Sequence, residues 1–140
     1  MFKRIATVSL VLALVVTGAA FAAAMSGTKV TLHSTSKGKV LATSSGRTLY
    51  LYTPDPKGKT VCTGTCAQTW PPLMTSAKPV AGTGVHQALL GTTKRSNGKL
   101  QVTYNGHPLY RYVGDSAAGQ ANGENVDGIW FVVTAGGAKK

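Results

Sequence analysis

Two kinds of hydrophobic pattern divide the chain. Ile5 to Val16 is an almost unbroken apolar run behind the basic start Met1-Phe2-Lys3-Arg4, and small residues follow from Gly18 to Ala24. A basic start, an apolar stretch and the small-x-small triplet Ala20-Phe21-Ala22 make a secretory signal, so residues 1–22 are assigned to a signal peptide cut after Ala22. The alternative is an uncleaved anchor over Ile5 to Ala24, although its Ala/Gly-rich second half is weakly hydrophobic. From residue 23 onward the apolar residues come in short alternating runs bounded by turn residues, and no window sustains a helical period. The pattern predicts an all-β chain forming one compact domain.

That domain is duplicated. At an offset of 60, Gly38-Lys39 meets Gly98-Lys99, Thr43 meets Thr103 and Gly46 meets Gly106. Leu49-Tyr50-x-Tyr52 then meets Leu109-Tyr110-x-Tyr112, Asp55 meets Asp115, and Trp70 meets Trp130, without a gap. Each copy is too short to bury a core, so the two are expected to pack into one pseudo-symmetric unit. The organisation predicted is a segment with a strand at 23–37, repeat 1 at 38–73, a connection at 74–97, repeat 2 at 98–134 and a flexible basic tail at 135–140.

Each copy opens as a hairpin. Asn105-Gly106 tolerates positive φ and is the strongest short hairpin signal; Ser45-Gly46 takes the same place in copy one. With two-residue turns, Val102 faces Leu109, Gln101 faces Tyr110 and Lys99 faces Tyr112. In copy one, Ala42 then faces Leu49, Leu41 faces Tyr50 and Lys39 faces Tyr52. Alternation puts Val40, Ala42, Leu49, Leu51, Leu100, Val102 and Leu109 on an aliphatic core face, and the tyrosines on the other. One extra turn residue would swap the faces. The tyrosine face reads as a second packing layer, with Trp70 and Trp130 over Tyr50, Tyr52, Tyr110 and Tyr112 and with Lys39 and Lys99 over the rings. The alternative is an exposed aromatic platform for a sugar, a flat cofactor or a polymer. Asp55 and Asp115, at the strand ends, read as acceptors for turn amides.

The loops after the tyrosines differ. Cys62-Thr-Gly-Thr-Cys66 in an exported chain most simply forms a disulfide, stabilising by about 2 kcal/mol in the chain-entropy model. Metal or redox use of the pair is the alternative. Copy two instead gathers Asp115, Glu124 and Asp127, three of the four acids, where a Ca²⁺ ion would pin the loop as the disulfide pins the other. His33, His86 and His107 lack metal-type spacing and read as scattered surface residues. No nucleophile elbow, phosphate loop or zinc-protease motif appears, so no catalytic residue and no cofactor is assigned.

Tyr50-Leu51-Tyr52-Thr53-Pro54-Asp55 and Tyr110-Arg111-Tyr112-Val113-Gly114-Asp115 resemble the repeated Tyr-x-aromatic-x-x-Asp signature of bacterial secreted repeat proteins and predicted lipoproteins. Cys62-x-Gly64-x-Cys66-Ala67-x-x-Trp70-Pro71-Pro72-Leu73, Tyr104-Asn105-Gly106-His107-Pro108-Leu109-Tyr110 and Gly128-Ile129-Trp130 are similar to it as well. The resemblance covers about residues 38–133 and implies a cell-envelope repeat domain without an established activity. Many relatives carry a lipid-modified cysteine near the cleavage site, and this sequence has none there.

Composition sharpens the reading in two ways. Charged residues make up only 14 %, which excludes a highly charged disordered chain, and two cysteines are too few for a four-cysteine metal site. The charge of +11 becomes +9 once Lys3 and Arg4 leave with the signal. That balance favours anionic envelope polymers or lipid head groups, and no nucleic-acid recognition motif is present. The expected role is a non-enzymatic binding or structural module of the envelope or exterior. A redox, metal- or haem-binding protein is the competing class, and a wall-polymer enzyme using Asp55 and Asp115 is a third.

Overall fold

The computed structural model describes residues 26–140 and the pair 13–14, so the signal assigned to 1–22 and the anchor alternative lie almost wholly outside the described residues. Among the described residues no helix is long and apolar enough to cross a membrane. The expectation of an all-β domain holds; the described residues add a five-residue helix, α1 (Thr65–Thr69), in the disulfide loop, and short 3-10 turns at Gln87–Leu89 and Val126–Gly128.

Each copy begins with an antiparallel hairpin. In the first, β1 (Lys29–Thr35) pairs with β2 (Gly38–Thr43), Val30 opposite Thr43 and Thr35 opposite Gly38. In the second, the same place is taken by β6 (Leu90–Lys94) and β7 (Leu100–Tyr104), Leu90 opposite Tyr104. Between the hairpins lie the two-residue strands β4 (Met74–Thr75) and β5 (Val80–Ala81); β4 pairs with β7 and β5 runs parallel to β1.

The next strands do not stay with their own copy. β3 (Tyr50–Tyr52) pairs antiparallel with β9 (Trp130–Val132), Tyr50 opposite Val132 and Tyr52 opposite Trp130. Its counterpart in copy two, Tyr110 to Tyr112, lies against Pro72 and Pro71 of copy one. The two meet in the middle, where the Tyr50 and Tyr110 amides each donate to the other's carbonyl at 2.8 and 3.0 Å. The segments after the tryptophans cross over too: the Leu41 amide donates to Val133 O, and the Val102 amide to Leu73 O, both at 2.8 Å. β3, β4, β9 and the Tyr110–Tyr112 segment are therefore exchanged between copies, whereas β8 stays with β7 of its own copy.

The registers separate the two turns. Asn105 and Gly106, at φ 50° and 79°, form the expected two-residue turn to the short strand β8 (His107–Pro108), with Tyr104 opposite His107. The Leu109 amide reaches Val102 O, so that part of the reading holds. Beyond Leu109 it fails: β4 occupies the same edge of β7, with Met74 opposite Gln101, and the tyrosines are displaced toward copy one. Copy one departs sooner. The Thr43 amide bonds Arg47 O and the Leu49 amide bonds Leu41 O, so the turn holds three residues, Ser44-Ser45-Gly46, with Gly46 at φ 85°. Leu41, not Ala42, lies level with Leu49, and the faces of β2 are swapped relative to the sequence expectation. Tyr52 and Tyr112 accordingly lie far from Lys39 and Lys99 in the pairing: Lys39 is opposite Ser34, and Tyr52 is opposite Trp130.

A second one-residue difference compensates the first. The β1–β2 turn has two residues, whereas the β6–β7 turn has three, since the Arg95 amide bonds Lys99 O. Leu41 thus occupies the place of Val102, 61 positions on, although the flanking elements repeat at 60. Gly38-Lys39 and Thr43 match Gly98-Lys99 and Thr103 in sequence without matching them in space.

Two core clusters result. The aliphatic one holds Val30, Leu41, Leu49, Leu51, Leu73, Val85, Leu90, Val102, Tyr104, Leu109 and Val133. The other holds Val40, Tyr50, Cys62, Trp70, Tyr110, Trp130 and Val132. The last six residues are not a loose tail. Thr134 and Ala138 close a tight turn, the Lys140 amide reaches Val132 O, and Lys139 Nζ lies 4.2 Å over the Phe131 ring.

Candidate functional site

The residues duplicated in sequence meet at the pseudo-twofold axis. Tyr-x-Tyr alternation sends both tyrosines of each segment to one side, and the exchange of strands stacks the outer tyrosine of each pair on the other copy's tryptophan while the inner one stands against its own. Trp70 and Trp130 stack with centroids 3.9 Å apart and planes within 3°. Tyr112 stacks on Trp70 at 4.2 Å and Tyr52 on Trp130 at 4.3 Å, giving a continuous column of four rings. Tyr50 stands edge-on to Trp70 at 5.4 Å, and Tyr110 edge-on to Trp130 at 5.2 Å. Gly123 leaves the space the column needs: a Cβ there would sit 2.8 Å from both the Trp70 and the Tyr50 rings.

The inner tyrosines are fully buried, and each phenol bonds the other copy's aspartate. The Tyr50 hydroxyl donates to Asp115 Oδ2 at 2.5 Å, and the Tyr110 hydroxyl to Asp55 Oδ2 at 2.6 Å. The second carboxylate oxygens accept from loop amides, Asp115 Oδ1 from Asn122 N at 2.9 Å and Asp55 Oδ1 from Val61 N at 2.7 Å. A bond to a turn amide is the role expected of both acids; the cross-copy phenol bond is not. Each hydroxyl also meets the loop on its far side: Gly123 N donates to Tyr50 at 3.2 Å, and Thr60 Oγ1 lies 2.6 Å from Tyr110. Thr60, Val61 and Gly123 escape the sequence reading, because they belong to loops whose sequences do not repeat.

Burial, and then the aspartate bond, push the Tyr50 and Tyr110 phenols well above the ordinary tyrosine value. Burial also raises the Asp55 carboxyl, against the lowering effect of the Tyr110 hydrogen bond. The folded chain therefore keeps two protons that the unfolded chain releases above pH 10. Folding stability is expected to fall as pH rises past 10, by about 1.4 kcal/mol per pH unit for each phenol. Urea-unfolding midpoints between pH 9 and 12 measure this, and Tyr50→Phe with Tyr110→Phe is expected to flatten the decline.

The remaining candidate residues are dispersed. The Cys62–Cys66 disulfide is formed, with Cα atoms 5.3 Å apart, and Cys62 belongs to the aromatic cluster. Asp115, Glu124 and Asp127 are not gathered as a calcium loop. Asp115 is taken by Tyr50 and Asn122, and Glu124 Oε2 accepts from Val132 N at 2.8 Å. Among the described residues no group of three or more His, Cys, Asp or Glu is placed to hold a metal. His107 follows the β-turn, where burial and then Lys57 lower its pKa against the opposing Asp55 charge. The exposed platform is not formed either: Tyr50, Tyr110, Trp70 and Trp130 are at most 5 % exposed, and Tyr52 and Tyr112 are half-buried against the indoles.

The model of a secreted repeat of unknown function matches twice, over residues 31–74 and 91–134. The chain belongs to this family of secreted repeats. Each match opens inside the first strand of a hairpin, β1 or β6, and closes just past the tryptophan segment that crosses to the other copy. The family unit is thus a hairpin plus two exchanged segments. Among curated proteins and solved structures, none matches the chain.

Proposed function

We propose that this exported repeat protein is a non-enzymatic binding module whose exterior holds anionic envelope polymers, with lipid head groups as the second carrier of the same anionic chemistry. The supporting observation is the division of charge. Both oxygens of Asp55 and of Asp115 accept bonds from phenols and amides, and Glu124 is bonded to a backbone amide. All ten lysines from Lys29 onward are exposed. A surface of that kind attracts polyanions over about 8–10 Å at ordinary ionic strength. The motif residues hold the two copies together, so they are not free to act as an acid–base pair on a substrate.

Co-sedimentation of the mature protein tests this, with immobilised poly(glycerol phosphate), with vesicles containing phosphatidylglycerol and with phosphatidylcholine vesicles. The expected result is binding to the polymer that weakens steeply as salt rises, with little retention on the neutral vesicles. Binding to phosphatidylglycerol but not to the polymer would assign the surface to lipid. Retention that ignores salt, or none on either anion, sinks the reading.

A further inference from the structure

We infer that the aromatic core is also a redox array, in which the column Tyr112–Trp70–Trp130–Tyr52 passes an electron to a small one-electron oxidant and the Tyr50–Asp115 and Tyr110–Asp55 pairs settle the resulting hole as a neutral tyrosyl radical. It rests on the buried core and is independent of what the basic surface binds.

The column is closer than packing requires. Aromatic pairs ordinarily prefer centroids about 4.5–7 Å apart, whereas its three contacts lie at 3.9, 4.2 and 4.3 Å. Overlap of that kind lets a hole spread over both indoles, which lowers its energy. The terminal rings Tyr52 and Tyr112 are half-buried, while the indoles and inner tyrosines are covered. An oxidant therefore reaches the column at its two ends.

The inner tyrosines supply what a hole needs to come to rest. Tyr50 and Tyr110 stand beside the indoles at 5.4 and 5.2 Å, and each phenol already donates to a carboxylate. Before oxidation the proton stays on the phenol, since burial disfavours the phenolate. After loss of one electron the phenol becomes a strong acid, and the carboxylate at 2.5 or 2.6 Å takes its proton. The step balances: oxidising radical, phenol and carboxylate give reduced anion, neutral phenoxyl radical and carboxylic acid. One electron leaves the protein and one proton moves within it.

Pulse radiolysis of the folded mature protein with azidyl radical as the oxidant tests the inference. The expected result is an indolyl radical that converts to a tyrosyl radical by a first-order process, independent of protein concentration and slowed in D2O. Asp55→Asn with Asp115→Asn is expected to slow the conversion by at least about tenfold, the rate equivalent of one charge-assisted hydrogen bond. An indolyl radical that decays only by second-order recombination, or a conversion indifferent to D2O, overturns it. The isotope and concentration comparisons use the unaltered protein, so they decide the matter even where a variant fails to fold.

Discussion

A fragment carrying only the first copy, residues 26–89, is expected to remain unfolded, and mixing it with residues 90–140 is expected to restore the native spectrum. In the fragment β3 has lost its partner β9, and Tyr50 has lost both Asp115 and the Tyr110 backbone. Trp70 loses Trp130 and Tyr112, and Leu41 loses the Val133 carbonyl. What remains is the β1–β2 hairpin, edged only by the two-residue strand β5 and with its aliphatic face uncovered, which is marginal in water. Circular dichroism and amide dispersion of the fragments, alone and mixed, measure this. A cooperative thermal transition in the isolated fragment would show that the exchange of strands is not what completes the core.

Trp130→Ala is expected to lower stability by about 3–5 kcal/mol, the range for emptying a large buried aromatic site. Trp130 is 2 % exposed and touches Trp70, Tyr52 and Tyr110, so its loss opens the column at the centre. A single domain commonly holds about 5–15 kcal/mol, so this change consumes a large part of the total. The corresponding Trp70→Ala is expected to fall in the same range, because the ring has the mirrored set of partners. Urea unfolding by far-ultraviolet signal measures both, with the midpoint lowered and the slope unchanged. A loss below about 1 kcal/mol would mean that the column adds little beyond what a methyl group supplies.

Much of this site is legible in the sequence. The duplicated Tyr, Asp and Trp residues are rare types at a fixed offset, and the structure puts all of them in one cluster. Their partners were not readable. Tyr50 and Asp115 are 65 positions apart, and nothing local says that a phenol in one copy meets a carboxylate in the other. Thr60 and Gly123 belong to loops of different sequence that solve the same problem, a donor for each phenol oxygen, in different ways. The face of β2 failed for a related reason. Ser45-Gly46 is compatible with a two- or a three-residue turn, and one residue reverses which side chains enter the core.

Sequence alone determined the alternation that makes strands, the Asn105-Gly106 turn, the local Cys62–Cys66 closure and the existence of two copies. Each depends on neighbours along the chain, or on counting. Only the tertiary structure decided that the copies exchange their later strands, that Leu41 enters the aliphatic layer, and that tyrosines and aspartates pair across the axis. The exchange and the cross-axis pairs depend on which edge of a sheet is already occupied, and the place of Leu41 on a turn whose length its own residues leave open. β4 takes the edge of β7 that the tyrosine strand would have used, and the displaced strand finds its hydrogen bonds in the other copy.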